Sequence, residues 1–252
     1  MNNNIYNDFA YIYARQEKYH SYSKDLAHLI IDRMKHLGHW PKDVVDLACG
    51  VGIAAEIFAN AGFDVTGIDK SDEMLNYAKQ RSLENELGIK FYRQEIENLM
   101  LEKKVDLITC MYDSLNYITD ETNFYRSMDN VISSLNESGW FVFDIATLHA
   151  LSSKWVGVEI LRNNKDFFEI HNATYDDTNG VNIKKISFYI GDNGTFRHLF
   201  ETHIEKAHEP KKIEDYLLRR GMEIIDTFAD TEYRPVDKEC ERIIYFARKI
   251  SR

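Results

Sequence analysis

Length, composition and charge restrict the kinds of protein that this chain can be. It has 252 residues, of which 44% are hydrophobic and 29% are charged, which is typical of a globular protein with one large core. The formal net charge of −10 disfavours a nucleic-acid partner, because a polyanion needs a local basic cluster and the sequence has none. Cysteines 49, 110 and 240 lack metal-ligand spacing, so we expect neither a disulfide framework nor a metal site.

Targeting signals are also missing from the sequence. The N-terminal residues lack the basic and apolar parts of a signal peptide, and no apolar stretch approaches the roughly 18 residues of a membrane span. We therefore expect a cytoplasmic protein that acts on a small molecule and has no membrane partner. A monomer and a homodimer are both compatible with the sequence.

The first two thirds of the chain carry an alternation of helical and strand patterns. Apolar residues at helical spacing predict helix over residues 5–37. From Val44 onward, short apolar runs alternate with helical stretches, which indicates parallel strands joined by helices. The predicted strands are residues 44–47, 64–68, 90–92, 105–111 and 140–145. The predicted helices between them are residues 53–61, 71–83 and 121–135.

The pattern changes after about residue 150. Three segments of alternating polarity follow, joined by Asn179-Gly180 and by Asp192-Asn193-Gly194, which predicts an antiparallel sheet with hairpin turns. These segments are residues 166–176, 181–190 and 195–206. A helix over 210–220 and strands over 222–228 and 242–248 are predicted to complete the chain.

Together these patterns predict an α/β fold, a Rossmann-like doubly wound and mostly parallel seven-stranded sheet with an antiparallel side sheet inserted after the fifth strand. We expect an N-terminal helical lid over residues 1–40 and an inserted β subdomain over 151–207. The Rossmann-like domain itself would then comprise residues 41–150 and 208–252.

The strongest motif is a glycine-containing loop between the first predicted strand and the next helix, in residues 44–52. Glycines at such a place let backbone amides approach a ligand at the helix N-terminus. Gly50, Gly52 and Ala55 also satisfy the dinucleotide pattern G-x-G-x-x-G/A, with Asp69 near the expected acidic position. The loop alone therefore leaves a nicotinamide-dependent oxidoreductase open beside an S-adenosylmethionine (SAM) enzyme.

Asp46, just before the loop, favours the SAM enzyme. Its carboxylate could balance the α-ammonium of a methionine moiety, whereas it would repel a pyrophosphate. Asp69, at the end of the second strand, could accept hydrogen bonds from ribose hydroxyls under either cofactor. Glu95 offers a carboxylate to the amine of adenine, and Ile96 offers a backbone amide to a ring nitrogen.

A polar and aromatic cluster, residues 110–117, follows the fourth strand. It includes Met111, Asp113 and Tyr117, and it falls at the carboxyl edge of the sheet, where open α/β folds bind ligands. Methyl transfer is an in-line displacement that needs alignment and exclusion of water rather than a covalent nucleophile. We name Asp113, Tyr117 and His203 as candidates for orienting or deprotonating an acceptor.

These motifs give the chain a resemblance to class I SAM-dependent methyltransferases, closest to small-molecule and sugar-amine N-methyltransferase-like proteins. The resemblance covers about residues 5–250 and implies a lid helix carrying Tyr13, and it includes a histidine at the position of His203. It departs from the family at Ala48, where glycine is usual, and at Glu95, where aspartate is usual. The expected cofactor-binding residues are Tyr13, Asp46, Ala48, Gly50, Gly52, Asp69, Lys70, Met74, Glu95, Ile96 and Met111.

The resemblance implies an enzyme that methylates nitrogen or oxygen of a small acceptor. A non-catalytic protein that binds the cofactor without turnover stays open, because fold and cofactor loop do not establish chemistry.

Overall fold

A computed structural model describes residues 7–164, 167–192 and 195–250 of the chain. Tyr6, near the start of the helix predicted over residues 5–37, lies outside these ranges, as do Asp166 and the predicted turn residues Asn193 and Gly194. Among the described residues, no helix is both long and apolar enough to cross a membrane. The same residues hold no group of three or more side chains that could bind a metal ion.

The larger of the two sheets has seven strands in the order β10-β11-β5-β4-β1-β2-β3. The strands are β1 Asp43–Leu47, β2 Asp64–Asp69, β3 Lys90–Arg93, β4 Val105–Cys110, β5 Leu135–Ala146, β10 Met222–Phe228 and β11 Arg242–Lys249. Strand β11 runs in the opposite direction to the other six strands of this sheet and is antiparallel to both β10 and β5. The chain passes from β1 to β2 on one side and returns to β4 on the other, so β1 and β4 flank a topological switch point where such sheets bind ligands.

Helices cover both faces of this sheet. They are α2 Ser21–His36, α3 Ile53–Asn60, α4 Asp72–Glu84, α5 Glu121–Ser134 and α6 Pro210–Arg219. Helix α5 shows why they form: Phe124, Met128 and Val131 are buried one and two turns apart, and Asp120 caps its first turn by accepting from the Asn123 amide at 2.8 Å. Because both faces are covered, the central strands β1 and β4 are buried along almost their whole length rather than on alternate residues.

A separate antiparallel sheet follows β5 and confirms the predicted insertion. Its strands are β6 Gly157–Asn164, β7 Phe167–Asp176, β8 Val181–Asp192 and β9 Thr195–Lys206, paired in that order. The sequence predicted three of these strands and missed β6. Within the described ranges this edge strand pairs with β7 alone. Its Val158 and Ile160 side chains are exposed, so the strand lacks the buried apolar face on which a prediction from sequence relies.

Two predicted boundaries were wrong. The N-terminal helix is interrupted, with α1 at Asn7–Tyr13 and α2 starting at Ser21, because Tyr19 between them is buried and bonds through its hydroxyl to Glu169 of β7. Strand β5 starts at Leu135 rather than at Trp140, since Leu135 pairs with Val105 before a register shift.

Candidate active site

The loop after β1 adopts the left-handed backbone that its glycines predict. Ala48, Gly50 and Gly52 have φ of 53°, 54° and 80°. Ala48 is therefore an L-residue in a conformation that glycine adopts without a steric penalty. A Cβ at Gly50 would meet only Tyr13 of α1, at 4.0 Å, whereas a Cβ at Gly52 would lie 3.1 Å from the Ala78 Cβ of α4. Gly50 thus faces the lid helix, and Gly52 permits close packing of α4.

Asp46 is a buried carboxylate at the switch point, 1% exposed. Its Oδ1 accepts from the Thr109 hydroxyl at 2.9 Å, whereas its Oδ2 has no hydrogen-bond partner in the part of the chain that the structure describes. Burial raises the pKa of the Asp46 carboxyl to about 7, and the charge of Asp69 adds to the rise. A buried carboxylate with a vacant acceptor is suited to a cationic ligand.

Asp69 joins the end of β2 to the glycine loop. Its Oδ2 accepts from the Gly50 amide at 2.8 Å, and its Oδ1 accepts from the Ser71 amide at 2.9 Å. Burial raises the pKa of Asp69, while these two amides act to lower it. Each oxygen keeps a second acceptor position, so the side chain holds the loop and can still accept from ligand hydroxyls.

The remaining cofactor candidates extend this surface along the sheet edge. Glu95 is exposed and accepts from the Asn98 amide group at 2.9 Å, and Ile96 is buried at the start of a short 3-10 turn. Met74 and Met111 are buried, whereas Lys70 is exposed. All of them line one cavity of about 720 Å³, together with Tyr13, Asp46, Ala48, Gly50 and Asp69. Gly52 is the one predicted cofactor residue outside that lining.

Helix α1 lies over the glycine loop and is fastened to the side sheet. The Tyr13 ring stacks on Tyr19 with centroids 5.4 Å apart. The Phe9 amide donates to Oε1 of Glu201 on β9 at 2.9 Å. Farther along, Glu169 of β7 accepts from Lys18, Tyr19 and His171. The predicted lid therefore reaches both the cofactor loop and the inserted sheet.

The turn after β4 is built around an ion-paired cluster that the sequence did not reveal. Tyr112 and Asp113 are consecutive left-handed residues, with φ of 62° and 51°, and their amides donate to Asp144 of β5 at 2.6 and 3.2 Å. Arg242 of β11 donates to Asp113 at 2.8 Å and to Asp144 at 2.9 Å. Asp113, predicted as an acceptor-facing group, is thus held by a guanidinium.

Aromatic rings enclose that guanidinium. The Arg242 carbon Cζ lies 4.7 Å from the ring centre of Tyr22, 5.2 Å from that of Tyr112 and 4.8 Å from that of Trp155. Such cation–π contacts add to the two ion pairs. Nothing in the local sequence around Arg242 marked it, because its partners come from four distant segments.

Tyr117 and His203, the other two predicted catalytic residues, are in contact. The Tyr117 hydroxyl lies 2.9 Å from Nδ1 of His203, and Nε2 of His203 lies 3.3 Å from Oε2 of Glu201. The neighbouring Asn116 fixes this turn by donating to the carbonyls of Ala146 and Lys206. The structure therefore brings Asp113, Tyr117 and His203 to one end of the same cavity.

Glu205 is a further acidic side chain at that end. It is 3% exposed and lines the cavity. Its pKa is raised, mainly by burial and next by the charge of Asp113. The alternation of Glu201, His203 and Glu205 along one strand was the sequence signal for it, since these positions share a face.

A cavity at the switch point of an open α/β sheet is where proteins of this architecture bind nucleotide-containing ligands. Comparisons with known proteins identify which one. Residues 44–139 match the family described as a methyltransferase domain. The structure superposes with a TM-score of 0.86 on an SAM-dependent methyltransferase from Clostridium acetobutylicum, at 30% identity over 98% of this chain and 100% of that one.

A curated relative and a second solved structure agree with these matches. A putative methyltransferase of Geobacillus sp. (strain WCH70) is 24% identical, over 82% of this chain and 85% of its own. SAM-bound CalS10, an amino pentose methyltransferase from Micromonospora echinaspora, superposes with a TM-score of 0.72 at 16% identity, covering 96% of this chain and 95% of that one. The chain belongs to the SAM-dependent methyltransferases.

This membership decides between the alternatives that the sequence left open. The protein is an enzyme that uses SAM, and the nicotinamide alternative is wrong. The residues present fit this cofactor, because the vacant Oδ2 of Asp46 can receive an ammonium and the left-handed loop leaves Gly50 open to the cavity.

Proposed function

We propose that the enzyme transfers the methyl group of SAM to nitrogen or oxygen of a small molecule. The observation that carries the proposal is the single cavity, which runs from Asp46 and Asp69 to Tyr117 and His203. The lid helix and the side sheet both border it, through Phe9 and Tyr13 on one side and His203 and Glu205 on the other. A cavity of about 720 Å³ has room for the cofactor and a small acceptor together.

In this proposal the residues of the loop and strand ends hold the cofactor. Asp46 pairs with the α-ammonium, Asp69 accepts from the ribose hydroxyls, and Glu95 and Ile96 meet the adenine edge. Ala48, Gly50, Lys70, Met74 and Met111 line the same part of the cavity. Gly52 acts through the packing of α4, since it lies outside the lining.

The opposite end of the cavity holds the acceptor in this proposal. When bound, SAM supplies a methyl group on a positively charged sulfur. Tyr117 and His203 orient the acceptor atom, because they are joined to each other and to Glu201. Asp113 positions the turn after β4 and does not act on the acceptor directly, because its carboxylate is ion-paired with Arg242. Tyr13 and the lid exclude water from the transfer.

The proposed domain roles follow from these positions. Residues 7–20, which include α1, act as the lid, whereas α2 packs in the core of the main sheet. Residues 41–150 and 208–252 bind the cofactor, and residues 151–207 select the acceptor. The acidic surface and the enclosed cavity support a small molecule rather than a nucleic acid as the acceptor.

Transfer can be tested with methyl-labelled SAM and pooled small acceptors. We expect the label to enter one or more small molecules and the melting temperature to rise with SAM or S-adenosylhomocysteine at millimolar excess. Tyr117→Phe should lower kcat at least about tenfold while the SAM affinity stays within about twofold. Label that enters only protein or nucleic acid would contradict the proposal.

A further inference from the structure

Glu205 is a buried carboxylate, 3% exposed, in the wall of the cavity. The nearby Tyr117 hydroxyl, which is in contact with His203, acts to lower the pKa of the Glu205 side chain. Its Oε2 atom is buried and has no hydrogen-bond partner among residues 7–164, 167–192 and 195–250. The side chain lines the cavity, so a ligand in the cavity can reach it. A buried carboxylate oxygen without a donor costs free energy that a bound cation would recover.

The charged groups around Glu205 come from several elements. Asp113 from the turn after β4 raises its pKa, while Lys184 of β8 and Arg242 of β11 lower it. Arg242 is bound by Asp113 and Asp144, and the Lys184 ammonium lies 5.3 Å from the ring centre of Trp155. On its own strand, His203 is engaged by Tyr117. The neighbouring cations thus have other partners.

The wall of the cavity as a whole is acidic. Its carboxylic side chains outnumber its lysine and arginine side chains. The carboxylic side chains are those of Asp46, Asp69, Glu95, Glu97, Asp113, Glu159 and Glu205. Such a lining raises the local concentration of cations and disfavours anionic molecules.

We propose that the methyl acceptor carries a primary or secondary amine, and that Glu205 binds its ammonium form and takes its proton. This inference rests on the proposed function and narrows it to nitrogen. An ammonium group brings both a positive charge and several donors to Glu205. An alkyl hydroxyl brings no charge, and a carboxylate is far too weak a base to deprotonate it.

In this proposal, methyl transfer to the amine begins with the loss of a proton from its ammonium form. The ammonium gives one proton to the Glu205 carboxylate, which becomes a neutral carboxylic acid and leaves a lone pair on nitrogen. That lone pair forms the new bond to the methyl carbon as the bond from that carbon to sulfur breaks and its electron pair stays on sulfur. The methylated ammonium departs with S-adenosylhomocysteine, and Glu205 releases its proton to solvent.

Two substitutions separate this role from a general effect of charge. Glu205→Gln removes the base but keeps the shape, and Asp177→Asn removes an equal charge from an exposed turn of the side sheet that does not line the cavity. We expect Glu205→Gln to lower kcat at least about a hundredfold. We expect both variants to bind SAM within about threefold of the wild type, and Asp177→Asn to keep kcat within about threefold.

The experiment uses matched acceptor panels with methyl-labelled SAM. One panel contains amines such as glucosamine and 2-phenylethylamine, and the other contains glucose and 2-phenylethanol, their hydroxyl counterparts. We expect label in the amine panel alone. We also expect kcat/KM of the wild type to rise with pH through the raised pKa of Glu205, and this acidic limb to change in Glu205→Gln, which a purely structural role would not cause.

The outcomes distinguish the two proposals. Label in the hydroxyl panel alone overturns the amine inference and leaves the proposed function standing. Label in the amine panel with an unchanged kcat and pH profile in Glu205→Gln overturns the role of Glu205. Label in neither panel, with SAM still bound, contradicts the proposed function itself.

Discussion

The two ends of the cavity are built in different ways. The cofactor end comes almost entirely from residues 46–111, a continuous stretch in which successive strands of a parallel sheet end at one edge. The acceptor end combines the turn after β4 with residues of β8, β9 and β11, far apart in the chain. In the proposed assignment, cofactor binding depends on geometry that is local in the sequence, whereas acceptor binding depends on long-range ion pairs and on the inserted sheet.

The largest expected effect concerns the ion pairs that organise the acceptor end. Replacing Arg242 by methionine leaves Asp113 and Asp144 without their shared cation, and the Asp144 side chain is fully buried. Removal of one partner from a buried pair destabilises a protein by about 3–5 kcal/mol. We expect a loss of about 3 kcal/mol in the free energy of unfolding, measured by urea denaturation at pH 7.

Arg248→Met is the matched control for that measurement. Arg248 lies on the same strand and pairs with Glu223 at 3.2 Å, but both side chains are more than a third exposed. Exposed pairs contribute at most about 1 kcal/mol. Equal losses in the two variants would show that the acceptor end does not depend on its buried cluster.

A second, intermediate effect is the pH dependence of the cofactor end. Burial raises the pKa of Asp46 to about 7, above its value of about 4 in an unfolded chain. Without cofactor, this carboxyl therefore favours folding fully below pH of about 4, and the contribution is lost as the pH rises through about 7. We expect the free energy of unfolding of the wild type to fall more steeply over this range than that of Asp46→Asn.

SAM binding should show the opposite trend at the same residue. Only the ionised Asp46 pairs with an ammonium, so the SAM affinity should rise by up to about tenfold per pH unit below 7 and level off above it. Calorimetry between pH 5.5 and 8 measures this slope. Identical slopes for the wild type and Asp46→Asn would remove Asp46 from the cofactor site.

The smallest expected effect lies in the loop backbone. Ala48 has a φ of 53°, a conformation that costs an L-residue about 1–2 kcal/mol, whereas glycine lowers stability by about 0.4–1 kcal/mol through the unfolded chain. We expect Ala48→Gly to stabilise the protein by about 0.5 kcal/mol, a rise of about 1–2 °C in melting temperature. A lower melting temperature would mean that the methyl group of Ala48 makes a contact that outweighs the strain.

The same contrast explains what the sequence could predict. The sequence predicted the loop between β1 and α3 and the positions of Asp46 and Asp69, because the strand, the glycines and the helix follow one another within a few residues. The sequence could not reveal Arg242, because neither Asp113 nor Asp144 is near it in the chain. It also could not reveal the break before α2, which arises from the contact of Tyr19 with Glu169 in the inserted sheet. Long-range contacts override local helical pattern at such places.

The central claim is that SAM affinity depends on residues at one end of the cavity and not on residues at the other end. A SAM titration of two double variants tests this claim most directly. Asp46→Asn/Asp69→Asn changes the cofactor end, and His203→Gln/Glu205→Gln changes the acceptor end. Because hydrogen bonds to charged groups are each worth about 1.5–3 kcal/mol, we predict at least about a hundredfold loss of SAM affinity for the first variant. The second variant should bind SAM within about threefold of the wild type. Equal losses in both variants, or undiminished affinity in the first, would contradict the account.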